Sequence, residues 1–302
     1  MISSVIPVFN AAETLGRAVE SLLIQPEIDQ IILVEDGSSD DSYHQCLKLA
    51  ELHPIISVIR HPEGANKGAP ASRNLGLSLA KNEWIQFMDA DDELLPGKIT
   101  NQIRELSSEV DLVIGKFFYI NEDGSLAEMY PLKDIWSGLM VTRLGYTSAN
   151  LWRKSAVLNV GAWDVNLINL QEYNLIFNLL KKGSKVKVSS QALTKIYFQP
   201  NSITNSSTKE KEKRDNYFLF RENVKTYLRQ ENIFSFQRRH YFNRSTGLML
   251  RYHQPDFEVD FDKTYFKVFS GLRALIHQSK QIKFVISGSI LTVLKSFLLK
   301  LP

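Results

Sequence analysis

Glu83-Trp84-Ile85-Gln86-Phe87-Met88-Asp89-Ala90-Asp91-Asp92 closes an apolar, strand-like run with carboxylates at i and i+2. In an extended backbone, residues two apart face the same way, so Asp89 and Asp91 are placed to offer oxygens to one hard cation. Mg2+ or Mn2+ suits such donors. A cation held by one or two protein carboxylates keeps its other positions for water and substrate phosphates, which points to a nucleotide diphosphate. Taken alone, the triplet also reads as a solvated acidic turn or a helix cap.

The residues around it alternate between two periods. Ile2–Val8, Gln30–Glu35, Ile56–Arg60, Trp84–Asp89 and Leu112–Tyr119 read as buried strands. Between them, Leu15, Ala18, Val19, Leu22 and Leu23 recur at helical spacing, and weaker helical patterns cover Ser39–Leu52 and Pro70–Lys81. Strand alternating with helix predicts an α/β chain with a doubly wound, mostly parallel sheet. Ligands of such sheets bind beyond the carboxyl ends of the strands at a topological switch point. Pro7-Val8-Phe9-Asn10, Glu35-Asp36-Gly37-Ser38-Ser39-Asp40 and Asp89-Ala90-Asp91 fall at those ends and are expected to share one crevice.

Composition is that of a folded globular chain: 302 residues, 44% hydrophobic and 23% charged. The single cysteine, Cys46, excludes an internal disulfide and fits a reducing compartment. The opening Met1-Ile2-Ser3-Ser4-Val5-Ile6-Pro7 lacks the basic region and cleavage site of a secretory signal, and no window of about 18 apolar residues lacks a charge. A cytoplasmic protein without transmembrane helices is the expectation. Charge is lopsided: residues 1–208 hold 18 Lys+Arg against 24 Asp+Glu (net −6), and 209–302 hold 18 against 9 (net +9). The reading divides the chain there, into a nucleotide-binding and catalytic part and a basic, mostly helical part, joined by the polar stretch from Pro200 to Thr208.

Ile6-Pro7-Val8-Phe9-Asn10, Val34-Glu35-Asp36-Gly37-Ser38-Ser39-Asp40, Asn66-Lys67-Gly68 with Ala71-Ser72-Arg73-Asn74-Leu75-Gly76, and Phe87-Met88-Asp89-Ala90-Asp91-Asp92 stand in the order and spacing of the family 2 inverting glycosyltransferases. The resemblance covers about residues 3–205. It implies a GT-A nucleotide-sugar-binding domain, with Pro7, Phe9, Asn10, Asp36, Lys67, Arg73, Asp89, Ala90 and Asp91 around the donor. It also implies Asp89 and Asp91 on Mn2+ or Mg2+, and Asp36 reading uracil. No GxGxxG follows a strand and no GxxxxGK[ST] is present, which argues against a dinucleotide oxidoreductase or a P-loop enzyme.

The residues have readings of their own. Pro7 stiffens the exit of the first strand, and Asn10 either caps the following helix or lines the crevice. Asp36 is placed to accept from a base N–H or a ribose hydroxyl, or to form a turn with Ser38. Arg73 pairs with a diphosphate or with Asp89. An acceptor hydroxyl must lose its proton as it attacks the anomeric carbon, while charge builds on the departing nucleotide diphosphate, so a base is needed as well as a cation. By resemblance that base is Glu172, downstream of Gly161-Ala162-Trp163-Asp164 and in the first turn of a helix whose positive end favours its ionised form. Gln171, where many relatives carry an acid, is a mild departure and an acceptor-side candidate. Trp152, in the segment Thr147–Arg153 that by resemblance borders the acceptor, reads as a sugar-stacking residue or as core. A further departure is Tyr197-Phe198-Gln199-Pro200-Asn201-Ser202, where relatives often carry an Arg-x-His-x-x-Ser pattern; it puts donor affinity or identity in doubt.

Ile282, Val285, Ile286, Ile290, Val293, Leu294, Phe297, Leu298 and Leu301 keep one helical face with three lysines and no acid. That predicts an amphipathic helix lying on an anionic inner membrane face, or packing on the catalytic part or on a second subunit of a homodimer. Aromatics interleaved with arginine over 216–252 lack a recognition motif, and no nucleic acid is expected. The whole reads as an inverting transferase moving a sugar from a nucleotide-sugar, with UDP as the expected carrier, to a saccharide or lipid-linked acceptor in surface polysaccharide synthesis. The rival readings are a catalytically silent GT-A scaffold, which the three acids Asp89, Asp91 and Glu172 disfavour, and a retaining transferase, which the placed base disfavours.

Overall fold

The computed structural model describes residues 1–200 and 209–270. Strand and helix alternate at first: β1 (Ile2–Val8), α1 (Leu15–Leu23), β2 (Ile28–Glu35), α2 (Ser42–Leu52), β3 (Ile56–Arg60), α3 (Ala69–Leu79) and β4 (Trp84–Phe87). Then come β5 (Glu93–Leu94), α4 (Lys98–Ile103), β6 (Val110–Ile120), β7 (Leu126–Met129), α5 (Ile135–Met140), β8 (Leu151–Arg153) and α6 (Lys154–Asn159). α7 (Gln171–Lys181), β9 (Lys185–Tyr197), α8 (Glu210–Gln230) and α9 (Phe236–Met249) follow. The expected elements over the first 120 residues are all present, with ends moved by local bonding. β4 stops at Phe87 because the Asp89 amide donates to the Ser148 hydroxyl at 3.0 Å instead of to a neighbouring strand. α2 starts at Ser42, whose amide and hydroxyl both donate to Asp40 Oδ1.

The strands form one sheet in the order β3-β2-β1-β4-β8-β6-β9-β5, with β7 paired to β6. β3, β2, β1 and β4 are parallel, as expected. Beyond β4 the sheet is mixed: β8 runs antiparallel to both β4 and β6, β6 pairs parallel with β9, and β5 and β7 are antiparallel to their partners. The sheet as a whole is mostly parallel, as expected, and the antiparallel pairings are short and confined to the strands beyond β4. An antiparallel return needs no helical crossover, and β8 spans only three residues, too few for a period to register. After β3 the chain crosses back to lay β4 on the other side of β1, which makes the β1–β4 boundary the switch point.

Alternation along the central strands fills both faces. Ile31 and Leu33 join Leu15, Val19 and Leu22 of α1 on one side, and Ile32 and Val34 join Leu77, Phe87 and Trp152 on the other. α3 lies hard against this second face: a Cβ on Gly76 would sit 2.3 Å from Val5 Cγ1. Cys46 is buried on the first face, where burial pushes its thiol up to about 12 and leaves it unreactive.

α8 and α9 are not packed as a separate unit. Phe220, Val224, Leu228 and Phe242 belong to the same cluster as Phe87, Trp152 and Leu175. Phe177 of α7 meets the rings of Phe220 and Tyr227 at 5.9 and 5.8 Å. The stretch 201–208, where the division of the chain was expected, and the amphipathic segment 282–301 lie outside the described residues. Among the described residues no helix is long and apolar enough to cross a membrane.

Candidate active site

The three expected stretches do converge at the carboxyl ends of β1, β2 and β4. Asp36 is buried, and its Oδ1 accepts from the Lys67 amide at 2.7 Å and lies 3.6 Å from His61 Nε2. His61 also meets the Ser72 hydroxyl at 2.9 Å. Neighbouring Glu35 takes the Ser38 amide at 2.5 Å, so the turn expected from Asp36 is made by the residue before it. Gly37 has φ +75°, and a Cβ there would lie 2.6 Å from the Gly64 carbonyl oxygen, so only glycine lets the Asp36 loop and the Gly64–Lys67 loop close on each other. Pro7 is partly buried at the end of β1, Phe9 is 50% exposed beyond it, and the Lys67 side chain is exposed.

Asn10 does not cap α1. It adopts φ 48°, and its Oδ1 accepts from the Ser39 amide at 2.8 Å while its own amide donates to the Ser38 hydroxyl at 3.0 Å. The helix starts after Thr14 without a side-chain cap. Asn10 therefore joins the exits of β1 and β2, and the helix-cap reading is corrected.

The turn from Asp89 to Asp92 carries three carboxylates with three different fates. Asp89 stays partly exposed and pairs with Arg73 Nη2 at 2.5 Å. Ala90 is buried. Asp91 is pushed up to about 6, first by burial and then by the negative charge of Asp89. Asp92, buried, accepts from the Ser148 hydroxyl, and burial together with the charges of Asp91 and Asp89 pushes it well above the usual carboxylate range. The turn is framed from outside the motif. Arg17 donates to the Asp91 carbonyl at 2.5 Å and lies 3.9 Å over the Tyr197 ring, and Glu93 accepts from Lys195 and from the Tyr197 hydroxyl. Beneath it, Gln86 donates to the Ser148 carbonyl at 2.9 Å and accepts from Nζ of the buried Lys98. Arg17 and Lys98 were missed by the sequence reading, and Ser148 and Tyr197 lay in segments it named without a role at this turn, because each reaches the turn only through the fold.

Among the described residues no three or more His, Cys, Asp or Glu side chains cluster as a metal cage. The Asp89–Asp91 pair nevertheless fits a divalent cation by donor type and electrostatics: two hard carboxylates, of which Asp89 is close enough for its charge to add to the rise of Asp91, a repulsion that a bound cation would relieve.

Arg73 links this turn to α7. Its Nη1 donates to Gln171 Oε1 at 3.3 Å, and its guanidinium lies 4.6 Å from the Trp163 ring. The next residue, Asn74, clamps the Trp163 backbone with two hydrogen bonds, 2.8 and 3.0 Å. α3 so positions the Gly161–Asp164 segment that leads to Leu170, which turns at φ 56° into the helix bearing Glu172. Glu172 is raised from its ordinary value by burial, with Arg73 opposing and Asp89 adding to the rise. That corrects the expectation that the helix end would favour its ionised form: desolvation outweighs the helix dipole here. Gln171 is buried and holds Arg73 and the Leu167 carbonyl, so it acts on the site from behind.

Trp152 is corrected outright as an acceptor residue. It is fully buried, edge-on to Phe87 at 6.3 Å and 5.8 Å from Trp163, and has no face left for a sugar. The aromatic residue near that segment which does reach the surface is Tyr146, 37% exposed.

Known proteins resemble the chain in sequence and in fold. WfaP of Escherichia coli, described as a UDP-Glc:alpha-D-GlcNAc-diphosphoundecaprenol beta-1,3-glucosyltransferase, is 28% identical over 215 residues, 70% of this chain and 82% of that protein. The chain spans less than two thirds of several other curated relatives it matches. In three dimensions it resembles S. aureus TarS 1-349 in complex with UDP-GlcNAc, with TM-score 0.63 and 14% identity over 83% of this chain and 73% of that one. It also resembles the mannosyltransferase PcManGT from Pyrobaculum calidifontis in complex with GDP-Man and Mn2+, with TM-score 0.58 and 11% identity over 83% and 74%. These likenesses establish the GT-A fold. Residues 3–161, a little over half of the chain, match the sequence model of Glycosyl transferase family 2, and the chain belongs to that family of glycosyltransferases.

Proposed function

We propose that the protein transfers a sugar, with inversion, from a uridine nucleotide-sugar to a saccharide or lipid-linked saccharide acceptor in surface polysaccharide synthesis. The observation that carries this is the single guanidinium of Arg73, bonded on one side to Asp89 and on the other to the residue preceding Glu172. It supports one site with a diphosphate side and a proton-accepting side.

Asp36 retains acceptor capacity for a base N–H beyond the Lys67 amide, in keeping with a uracil partner. The UDP-GlcNAc ligand of TarS 1-349 and the UDP-sugar in WfaP's description favour that base, and WfaP's diphosphoundecaprenol acceptor favours a lipid-linked one. Asp89 and Asp91 would hold Mn2+ or Mg2+, the former seen with PcManGT; when bound it supplies a Lewis acid for the leaving diphosphate. Glu172 takes the proton of the acceptor hydroxyl as that oxygen forms its bond to the anomeric carbon and the bond to the diphosphate breaks. Its raised affinity for protons makes it a better base at neutral pH than an exposed carboxylate. Phe9 and Lys67, both exposed at the crevice mouth, are placed for the donor.

Incubation with a panel of nucleotide-sugars, with and without Mn2+, tests the reading. Slow, metal-dependent hydrolysis confined to a UDP-sugar is expected, and hydrolysis that ignores the base or the metal would refute the donor assignment. NMR of the transferred product's anomeric configuration tests inversion. The net +9 of residues 209–302 favours attachment to an anionic membrane, which co-sedimentation with phosphatidylglycerol vesicles at low and high salt would reveal by its loss at high salt.

A further inference from the structure

Three parts of the fold meet around Glu172. The segment from Thr142 to Ala149 is pinned at both ends. Ser148 is bonded to Asp92 and to the Asp89 amide, and the hydroxyl of Tyr173, the residue after Glu172, donates to the Thr142 carbonyl at 2.8 Å. Tyr146 lies within that span, so it is carried between the carboxylate turn and the start of α7. Its ring packs edge-on against Phe117 at 4.9 Å and remains 37% exposed.

The third part is α8. Asn169, three residues before Glu172, donates to the Lys213 carbonyl at 2.9 Å and accepts from Asn216 Nδ2 at 3.0 Å. The next residue along α8 is Tyr217, half-buried, with the Arg221 guanidinium 5.7 Å from its ring. Arg221 is itself buried and fixed by donating to the Met140 carbonyl. The hydroxyls of Tyr146 and Tyr217 are both pushed up, first by burial and then by the charge of Glu172, so both lie within that carboxylate's electrostatic reach.

We propose that Tyr146 and Tyr217 form an aromatic subsite for the acceptor, holding a pyranose ring beside Glu172, and that α8 is therefore part of the acceptor site. This rests on the reading of Glu172 as the base. A pyranose presents an apolar C–H face that packs on an aromatic ring and a hydroxyl edge that reaches a carboxylate. Two rings supplied by separate elements, each anchored by hydrogen bonds of its own segment, give such a ring a fixed orientation without further loop closure. The buried Trp152 cannot do this.

Saturation-transfer NMR on the full chain with UDP and Mg2+ decides it, using the methyl glycosides of glucose, galactose, mannose and N-acetylglucosamine as probes. Saturation is expected on the ring protons of at least one glycoside with the native protein. It should fall about tenfold in Tyr146→Ala and Tyr217→Ala and persist in Tyr146→Phe and Tyr217→Phe, since stacking needs the ring and not the hydroxyl. The saturation on UDP should be the same in all five proteins. No glycoside signal from the native protein, or equal signals from the alanine variants, overturns the proposal. Loss of the UDP signal from the native protein would instead overturn the donor reading.

Discussion

Arg73 Nη2 lies 2.5 Å from Asp89 Oδ1, and the same guanidinium reaches Gln171 at 3.3 Å. A planar fork fixes both distances at once, which a lysine cannot do. Arg73→Lys should keep the positive charge near the diphosphate but release α7, so we expect turnover to fall by ~10² with UDP affinity changed severalfold at most. Steady-state kinetics beside calorimetric titration of UDP would separate the two. A variant with native turnover would show that the link is structural ornament and not part of the site.

Glu172→Gln keeps size and most hydrogen bonding while removing the proton acceptor. Turnover should drop by ~10²–10⁴ and donor binding should stay. Burial raises the carboxyl of Glu172, and a protonated base cannot accept, so native activity should climb with pH along a limb lying above the ordinary carboxylate range. That limb should be missing from the residual activity of Glu172→Gln. A pH profile of both proteins checks it, and the same limb in each would place the base elsewhere.

Asp91 ties function to a stability cost. An aspartate free in the unfolded chain titrates near 3.8, and Asp91 in the fold near about 6. Between those values the folded chain binds more protons than the unfolded one, so this group's contribution falls as pH rises through the window and is fully lost above it. Asp91→Asn cannot ionise. We expect the ligand-free variant to exceed the native protein by about 1–3 kcal/mol near neutral pH, with the gap closing toward about pH 4. It should also lose metal-dependent UDP binding. Urea unfolding with chelator present measures the first effect, and a variant less stable than native at neutral pH would contradict it.

The parallel half of the sheet and the crevice residues were legible because each rests on local chemistry. Apolar runs of strand length, glycine where φ is positive, and carboxylates two apart all declare themselves within a few residues. What stayed hidden depends on distant partners. Ser148 meets Asp92 across 56 residues, and although the segment 147–153 reads as bordering the acceptor, nothing local marks Ser148 as a partner of the carboxylate turn. Lys98 looks like a solvated helix residue, yet it is buried against Gln86. Trp152 drew the acceptor reading because an aromatic residue in the right segment is equally suited to a sugar or a core, and only the packing of Phe87 and Trp163 on it chooses the core. The rise of Glu172 was missed for the same reason: position in a helix can be read from sequence, but desolvation cannot.

The junction of α5 and α9 should be sensitive to acid. Asp134 caps α5 by accepting from the Ser137 amide at 3.1 Å, and its two oxygens take Arg238 of α9 at 2.8 and 3.0 Å. Both side chains are about one fifth exposed, so the pair is poorly screened. Burial alone would raise Asp134, but the Arg238 bonds and the Ser137 donors hold it below its ordinary value. A carboxyl lowered in the fold stabilises above its unfolded pKa, and that contribution disappears as pH falls through the folded value. Asp134→Ala removes the cap and strands Arg238 half-buried, which should cost about 2–4 kcal/mol at neutral pH. Asp134→Asn keeps some capping and should cost less. In urea melts at successively lower pH the penalty of Asp134→Asn should shrink toward zero as the native carboxyl itself becomes neutral. A penalty that stays constant across the acid range would mean that the ion pair contributes nothing and that the cap alone holds α5.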